Sequence, residues 1–330
     1  ATPSNQFNLQ AMFNRNSDDE ARDYIGGNQE DLGGEVFSER LRFQERSMLW
    51  GQLSGKHDLE SLNSRLDWRF SGAQASRNEP ALRETVYTRS FGSTSPFTLN
   101  SDTGESGRYF YTDLTDDDFN GAVDWTWNFG GWSSAASIKV GGAFRNRSRD
   151  FAARRYRWNF TSGITSLDSV IANGTIVGTA PTNDMQLQLT DLVESGDRYN
   201  ADESTYAGYG MVDLPIGSRL RAVFGARVEP YDLELTTPGT TSDSVVTLSD
   251  LSQTDVLPSL GLSYALNDAM NLRLAGSRTV DRPEFRELAP FQFTEASSLR
   301  QLRGNPELEI ADIYSVDAKW EWFPRTGEVF

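Results

Sequence analysis

The sequence contains no cysteine, a single histidine (His57) and no uninterrupted apolar run of the roughly 18 residues that a membrane-spanning helix requires. The missing cysteines exclude disulfide scaffolds, thiolate zinc sites and cysteine nucleophiles. One histidine argues against a histidine-based metal centre or a Ser-His-Asp triad. Basic residues are outnumbered by acidic ones, with 31 Lys+Arg against 47 Asp+Glu. The resulting formal charge of −16 argues against nucleic-acid binding. A membrane β-barrel is not excluded, since its strands need only one apolar face.

Period-two alternation of apolar and polar residues is the dominant pattern. Phe119, Val123 and Trp127 fall on one face of a predicted strand, and Asn120 and Asp124 fall on the other. The stripes extend for about 9–13 residues, near the length with which a tilted strand crosses a bilayer. Strands of soluble proteins are shorter, at about five or six residues. Aromatic residues at the stripe ends are typical of the girdles of membrane barrels. The same alternation recurs at 62–70, 136–144, 220–228 and 314–322.

Short turns alternate with long polar stretches. The turns are predicted at 56–58, 130–131, 215–218, 267–268 and 324–327, and the long stretches at 14–38, 74–115, 146–202, 232–254 and 280–311. Strands are predicted at 5–14, 37–55, 61–73, 114–129, 133–147, 201–214, 219–234, 253–266, 270–280 and 311–323, and an eleventh begins at Glu328. Short turns on one side and long loops on the other are typical of outer-membrane barrels. The predicted fold class is all-β: residues 1–330 form part of one antiparallel transmembrane β-barrel domain with long extracellular loops.

An ordered series of motifs occupies the carboxyl-terminal third. Ser277-Arg278-Thr279 is followed by Arg282-Pro283-Glu284-Phe285-Arg286-Glu287-Leu288-Ala289-Pro290-Phe291 and then by Gly304-Asn305-Pro306-Glu307-Leu308. This series resembles the barrel of TonB-dependent outer-membrane receptors, and the hairpin 209–229 resembles the one that precedes it in that family. The resemblance implies a barrel of about 22 strands, of which about 10–11 are present. It also implies a plug domain and a TonB-contacting segment, neither of which is recognised here, so we expect an internal portion of a longer receptor.

The resemblance implies active uptake of a scarce solute, such as a siderophore, vitamin, glycan or peptide. Its expected partners are outer-membrane lipid, the small solute and, through the missing plug, the TonB energy-transducing complex. The expected location is the outer membrane of a Gram-negative bacterium. No enzymatic activity, catalytic residue, metal or cofactor is predicted. Two alternatives stay open: a soluble all-β carbohydrate-binding or glycosidase-like protein, and a passive porin without energy coupling.

Candidate functional residues fall into two groups. Loop aromatics are the predicted solute contacts: Tyr109, Tyr111, Tyr156, Trp158 and Phe291. Charged residues on the polar faces are predicted to line the lumen, where they pair with one another, and the resemblance implies that they also dock the plug: Arg65, Arg69, Lys139, Arg221, Arg227, Glu229, Arg273, Lys319 and Glu321.

Two local features have structural interpretations as well as functional ones. The acidic run 113–120 offers oxygen ligands for calcium, but a solvated acidic strand entrance is the simpler interpretation. The stretch from Arg282 to Phe285 is predicted to form a structural corner, because Pro283 biases Arg282 toward extended geometry.

Overall fold

Ten long strands form one antiparallel sheet in the computed structural model, which describes residues 4–28, 32–100, 106–129, 136–160, 187–192, 197–238, 245–294 and 301–323. The long strands are β1 (Asn5–Asn28), β2 (Gly34–Leu59), β3 (Ser64–Arg89), β5 (Arg108–Phe129), β6 (Ala136–Phe160), β8 (Arg198–Ile216), β9 (Leu220–Pro238), β10 (Val245–Asn267), β11 (Met270–Asp281) and β14 (Ala311–Trp322). Each pairs with the next in this order, and β1 and β14 are the two unclosed edges. The all-β antiparallel prediction is confirmed.

Four short strands, a 3₁₀ turn at Glu60–Leu62 and one short α-helix accompany these ten strands in the described ranges. The short strands are β4 (Thr98–Leu99), β7 (Leu187–Asp191), β12 (Gln292–Thr294) and β13 (Gln301–Arg303), and a one-turn helix spans Phe285–Leu288. β4 pairs with β3, β7 pairs with β6, and β12 pairs with β13 as a separate two-stranded sheet. Within the described ranges, no helix is long and apolar enough to cross a membrane.

The strands run much further than the alternation predicts. β1 has 24 residues and β2 has 26, so most of the loop predicted at 14–38 is strand. The predicted loops 74–115, 146–202 and 232–254 are wrong in the same way within their described parts. The reason is that the apolar stripe of each strand ends there while the backbone ladder continues. On β1 most residues beyond the stripe are polar, and on β9 the apolar residues Tyr231, Leu233 and Leu235 move to the opposite face.

The turns fall at one end of the sheet, which we call the turn end; the opposite end is the loop end. The turn between β2 and β3 lies at residues 60–63, not at 56–58, and Asn63 there has a φ of 46°. The turns between β8 and β9 and between β10 and β11 lie within two residues of the prediction. The turns predicted at 130–131 and 324–327 and the strand from Glu328 lie outside the described residues.

The strand register aligns the apolar stripes into one continuous face. Trp68 pairs with Val123, which pairs with Gly142 on the next strand. Farther along the sheet, Phe224 lies between Val212 and Leu260. The face is not covered by a second layer within the described part of the chain: Trp125 is 41% exposed, Val140 43% and Phe224 42%. A soluble sandwich would bury these side chains against another sheet, whereas a membrane barrel turns them toward lipid.

Aromatic rings mark both borders of this apolar band. Trp127 and Phe129 lie at the turn end with ring centroids 5.4 Å apart, and Phe119 contacts Phe144 at 5.5 Å toward the loop end. The stretch of β5 from Phe119 to Trp127 therefore spans the band. Its length fits the roughly 9–11 residues with which a tilted strand crosses a bilayer.

The opposite, polar face of the sheet carries a docked segment near the loop end. Phe285 is 1% exposed and Leu288 0%, and both pack on Phe151, Tyr199 and other side chains of β6, β8 and β9. The ring of Phe291 contacts Phe151 at 4.7 Å. Residues 285–291 thus form a small apolar core on a face that is otherwise charged.

Arg282 ties this segment to two carboxylates that lie opposite each other on neighbouring strands. Glu229 and Asp255 are register partners, and like charges directly opposite in a sheet repel. Arg282 donates to Glu229 at 2.6 Å and to Asp255 at 3.0 Å, and its guanidinium lies 4.3 Å from the centre of the Tyr231 ring. The predicted corner at Arg282–Phe285 is confirmed, and its role is to hold the segment on the sheet.

The Gly-Asn-Pro motif closes the segment from the other side. Asn305 N–H donates to the Glu287 carbonyl at 2.6 Å. A Cβ at Gly304 would lie only 2.1 Å from the Ala289 carbonyl oxygen, so glycine is required by this close approach. The two motifs that stand apart in the sequence are therefore contact partners in the fold.

We predict that Phe224→Arg destabilises the protein in lipid vesicles by about 2–4 kcal/mol, because it places a charge at the middle of the apolar band. The matched control is Val223→Arg, which points to the polar face opposite Asp213 and should change stability by no more than about 1 kcal/mol. Urea unfolding followed by gel mobility measures both. Equal losses in the two variants would contradict the assignment of faces.

We also predict that Arg282→Met costs about 3 kcal/mol, because Asp255, which is 0% exposed, and Glu229 lose a buried cationic partner. Arg227 still pairs with Glu229, and Arg278 still pairs with Asp255. The expected loss of stability therefore lies at the lower end of the range of about 3–5 kcal/mol for breaking a buried ion pair. Arg221→Gln is the control, since Arg221 is 58% exposed beside Asp213, and its loss should be about 0–1 kcal/mol. Protease cleavage within 285–291 should rise only in the Arg282 variant; protection equal to that of the parent protein would refute the clamp.

Candidate functional site

An arginine-lined cavity of about 250 Å³ lies on the polar face toward the loop end, between the sheet and residues 286–292. We call it the arginine cavity. Leu82, Phe110, Phe151 and Phe291 supply its apolar lining. Seven arginines also line it, against Glu79 as the one lining carboxylate: Arg40, Arg42, Arg46, Arg77, Arg108, Arg149 and Arg286. The cavity lies beyond the apolar band, on the extended part of the strands.

Alternation on several strands aims these arginines at one place. On β2 the side chains of Arg40, Arg42 and Arg46 share the polar face, because each is an even number of residues from the next. The register then sets Arg46 opposite Arg77 on β3, which itself pairs with Leu114 on β5. The arginine cavity is therefore a product of strand register and not of one local motif.

Carboxylates balance only part of this charge. Arg108 donates to Glu84 at 2.7 Å, and Arg149 donates to Asp116 at 2.6 Å. Asp116 is shared with Arg147, at 2.9 Å, and is therefore not a partner of Arg149 alone. Across the described ranges, the ion pairs shorter than 4.0 Å include none made by Arg40, Arg46 or Arg77. The cavity thus holds an excess of positive charge within a chain whose formal charge is −16.

Burial makes this excess costly. Arg40 is only 9% exposed, and the buried Nε atoms of Arg40 and Arg77 have no hydrogen-bond partner among the described residues. Both residues lie outside the apolar band. Burial lowers the pKa of each guanidinium from its ordinary value, while Glu84 opposes that shift at Arg40 and Glu79 opposes it at Arg77. An unpaired buried cation is a favourable place for an anion to bind.

The predicted solute contacts do not converge on one site. Tyr109 and Trp158 meet edge to face at 6.3 Å, and Tyr111 and Tyr156 do so at 6.0 Å. These four side chains lie near the loop end on the side of the sheet that carries the apolar band. Each is an even number of residues from an apolar-band residue of its own strand, and the pairing of β5 with β6 has no register shift. Phe291 instead lies on the polar face, against Phe151, and lines the arginine cavity.

The predicted lumen charges all lie on the polar face by strand parity, and most sit in local ion pairs toward the turn end. Arg65 contacts Asp58 at 2.7 Å, Lys139 contacts Asp124 at 3.7 Å, and Arg273 contacts Glu321 at 3.0 Å. Further contacts join Lys319 to Glu321 at 2.8 Å, Arg221 to Asp213, and Arg227 to Glu229, while Arg69 lines a separate polar recess. A role in docking a plug stays a prediction.

The acidic run 113–120 is divided between the two faces. Asp113 and Asp117 lie on one side and contact Asn78 and Gln74, whereas Asp116 lies on the other beside arginines. In the described part of the chain, no group of three or more His, Asp or Glu side chains is arranged to hold a metal ion.

Sequence reasoning missed the arginine cavity. Arg77 and Arg108 fall within the loop predicted at 74–115, where a side chain has no assigned face. The signal was present on β2, because Arg40, Arg42 and Arg46 repeat at even spacing on the polar side of a predicted strand. Their convergence with Arg77 depends on pairing between strands, which a single sequence does not specify.

Comparison with known proteins identifies the family. Residues 87–326, which are more than half of the chain, match the outer membrane protein beta-barrel family. Among proteins with curated descriptions, none matches this sequence.

The solved structures that match this chain include a siderophore receptor, a ferric citrate transporter and a copper transporter. The siderophore receptor PiuA from Acinetobacter baumannii is 10% identical, with a TM-score of 0.49 over 97% of this chain and 48% of its own. The ferric citrate transporter FecA in its unliganded form is 12% identical, with a TM-score of 0.40 over 87% of this chain and 40% of its own. The copper transporter OprC is 10% identical, with a TM-score of 0.41 over 97% and 51%.

The chain spans about half the length of these structures. Its family match is independent of them and covers the long strands from β5 to β14. The chain belongs to the outer membrane protein beta-barrel family, and its location is the outer membrane of a Gram-negative bacterium.

Proposed function

We propose that the whole protein is an outer-membrane receptor that takes up a scarce solute actively. The observation that carries this proposal is the arginine cavity, a recess on the polar face of the sheet beyond the apolar band. A recess beyond the apolar band can bind a solute before the solute enters the membrane-spanning part of the barrel. A passive porin needs an open aqueous lumen, whereas this recess is walled on one side by residues 286–292.

The docked segment supports a receptor more than a porin. Phe285 and Leu288 are fully buried against the sheet, and Arg282 bridges two carboxylates beneath them. The segment therefore holds Phe291 at the wall of the cavity. Its motifs are also those that resemble TonB-dependent receptors, which is the basis for proposing TonB as the energy source and a plug elsewhere in the protein as its target.

The predicted solute contacts take different places in this proposal. Phe291 is proposed to contact the solute inside the arginine cavity. Tyr109, Tyr111, Tyr156 and Trp158 lie on the other side of the sheet, so they are proposed as contacts only outside the lumen. The paired charges toward the turn end, such as Arg65 and Lys139, are proposed to face the plug.

We predict that cells producing the full-length protein accumulate at least one labelled probe from three solute classes: ferric citrate, cobalamin or maltoheptaose. Accumulation should fall to the background of receptor-free cells when TonB is absent, because binding alone does not drive transport against a gradient. Probe bound at the surface of the same TonB-free cells should be unchanged.

Cells with the empty vector are the control for both measurements. Equal probe entry with and without TonB would contradict active uptake and favour a passive porin. Absence of accumulation of every probe would also contradict the proposal.

A further inference from the structure

The arginine cavity combines three properties that together favour the binding of an anion. It is small, at about 250 Å³, and it is partly apolar. Seven arginines line it against one carboxylate, that of Glu79. Of these arginines, Arg42, Arg108 and Arg149 have a carboxylate of a described residue within 4.0 Å, so guanidinium groups outnumber the carboxylates that pair with them. Its most buried cation, Arg40, keeps an Nε atom without a hydrogen-bond partner in the described structure.

The arginines also repel one another. Arg286 and Arg46 both disfavour the charged form of Arg77, and Arg22 and Arg42 disfavour that of Arg40. Burying like charges side by side costs stability unless a counter-charge is added. The arrangement is therefore destabilising by itself and becomes favourable when an anion is bound.

Guanidinium geometry specifies the kind of anion. A planar guanidinium presents parallel N–H donors that match carboxylate and phosphate oxygens in pairs. Several arginines around one recess favour a ligand with more than one such group. Ligand pockets for drug-sized molecules measure roughly 300–1,000 Å³, so this smaller recess fits a compact polyanion or the anionic end of a larger solute.

We propose that the arginine cavity binds a small solute that carries at least two carboxylate or phosphate groups. This inference rests on the proposed uptake function and names the substrate class of the same site. Arg40 and Arg77 are its central ligands, Arg46 and Arg286 complete the positive rim, and Phe291 packs against the non-polar part of the solute.

The test measures binding of citrate and of inorganic pyrophosphate to the purified full-length receptor in detergent. Glucose is the neutral probe. We expect at least one of the anions to bind and to raise the thermal unfolding midpoint, because a ligand that binds only the folded state stabilises it. Glucose should have no effect.

Three variants locate the site. Arg77→Gln should weaken anion binding at least tenfold, while Arg77→Lys, which keeps the charge but loses the planar fork, should weaken it less. Arg15→Gln is the control, because Arg15 pairs with Glu45 outside the cavity and is 61% exposed; it should bind like the parent protein. Without ligand, the midpoint of Arg77→Gln should equal or exceed that of the parent protein, since repulsion is relieved.

Two results would overturn the proposal. One is that neither anion binds, or that Arg15→Gln loses as much affinity as Arg77→Gln. The other is that Arg77→Gln lowers the midpoint and no anion affects the parent protein, which indicates that an acidic part of the protein itself fills the cavity. TonB-dependent accumulation of a neutral or cationic probe, unaffected by Arg77→Gln, would refute the polyanion while the uptake function stands.

Discussion

Backbone hydrogen bonding in lipid is the constraint on which this structure depends. An amide that lies in hydrocarbon without a partner costs several kcal/mol, so a chain that crosses a bilayer with strands must pair every one of them. The ten-strand ladder from β1 to β14 meets this requirement for all strands except the outer sides of its two edges. Alternate side chains are then forced to opposite faces, and this produces both the apolar band and the charged wall behind it.

The polar face is organised by charge pairing. Toward the turn end, carboxylates and cations form local pairs, such as Lys139 with Asp124. Toward the loop end, Arg282 bridges Glu229 and Asp255, and this bridge holds Phe285 and Leu288 on the sheet. The segment fixed in this way forms one wall of the arginine cavity. The ion pairs of Arg282 therefore stabilise both the fold and one wall of the proposed binding site.

Sequence pattern predicted the part of the fold that lipid specifies. Phe119, Val123 and Trp127 alternate because one face of β5 is apolar, and the structure places all three on the band. The strand ends are not predictable from the alternation, since residues 14–20 of β1 are all polar and the ladder to β2 keeps them extended. A local rule about proline predicted the corner at Arg282, but not its two carboxylate partners, which belong to other strands.

The same limit applies to the site. The even spacing of Arg40, Arg42 and Arg46 places them on one face, but their convergence with Arg77 and Arg286 depends on strand register and on a docked segment. Aromatic residues near the loop end, such as Tyr111 and Trp158, are predicted to contact the solute because they are aromatic side chains in a polar stretch. Their parity places them on the opposite side of the sheet from the cavity, and the alternation assigns no parity to residues in a predicted loop.

Site-directed spin labelling along β5 tests the central claim most directly, because the 330 residues contain no cysteine to interfere with the label. Single cysteines would be introduced from Phe119 to Trp127 in the protein reconstituted in lipid vesicles. The account predicts that labels at odd positions collide with oxygen, which dissolves in lipid, while labels at even positions collide with a water-soluble nickel chelate. Labels at odd positions that are protected from both reagents would show that this face packs against protein, and the membrane-spanning sheet would be contradicted.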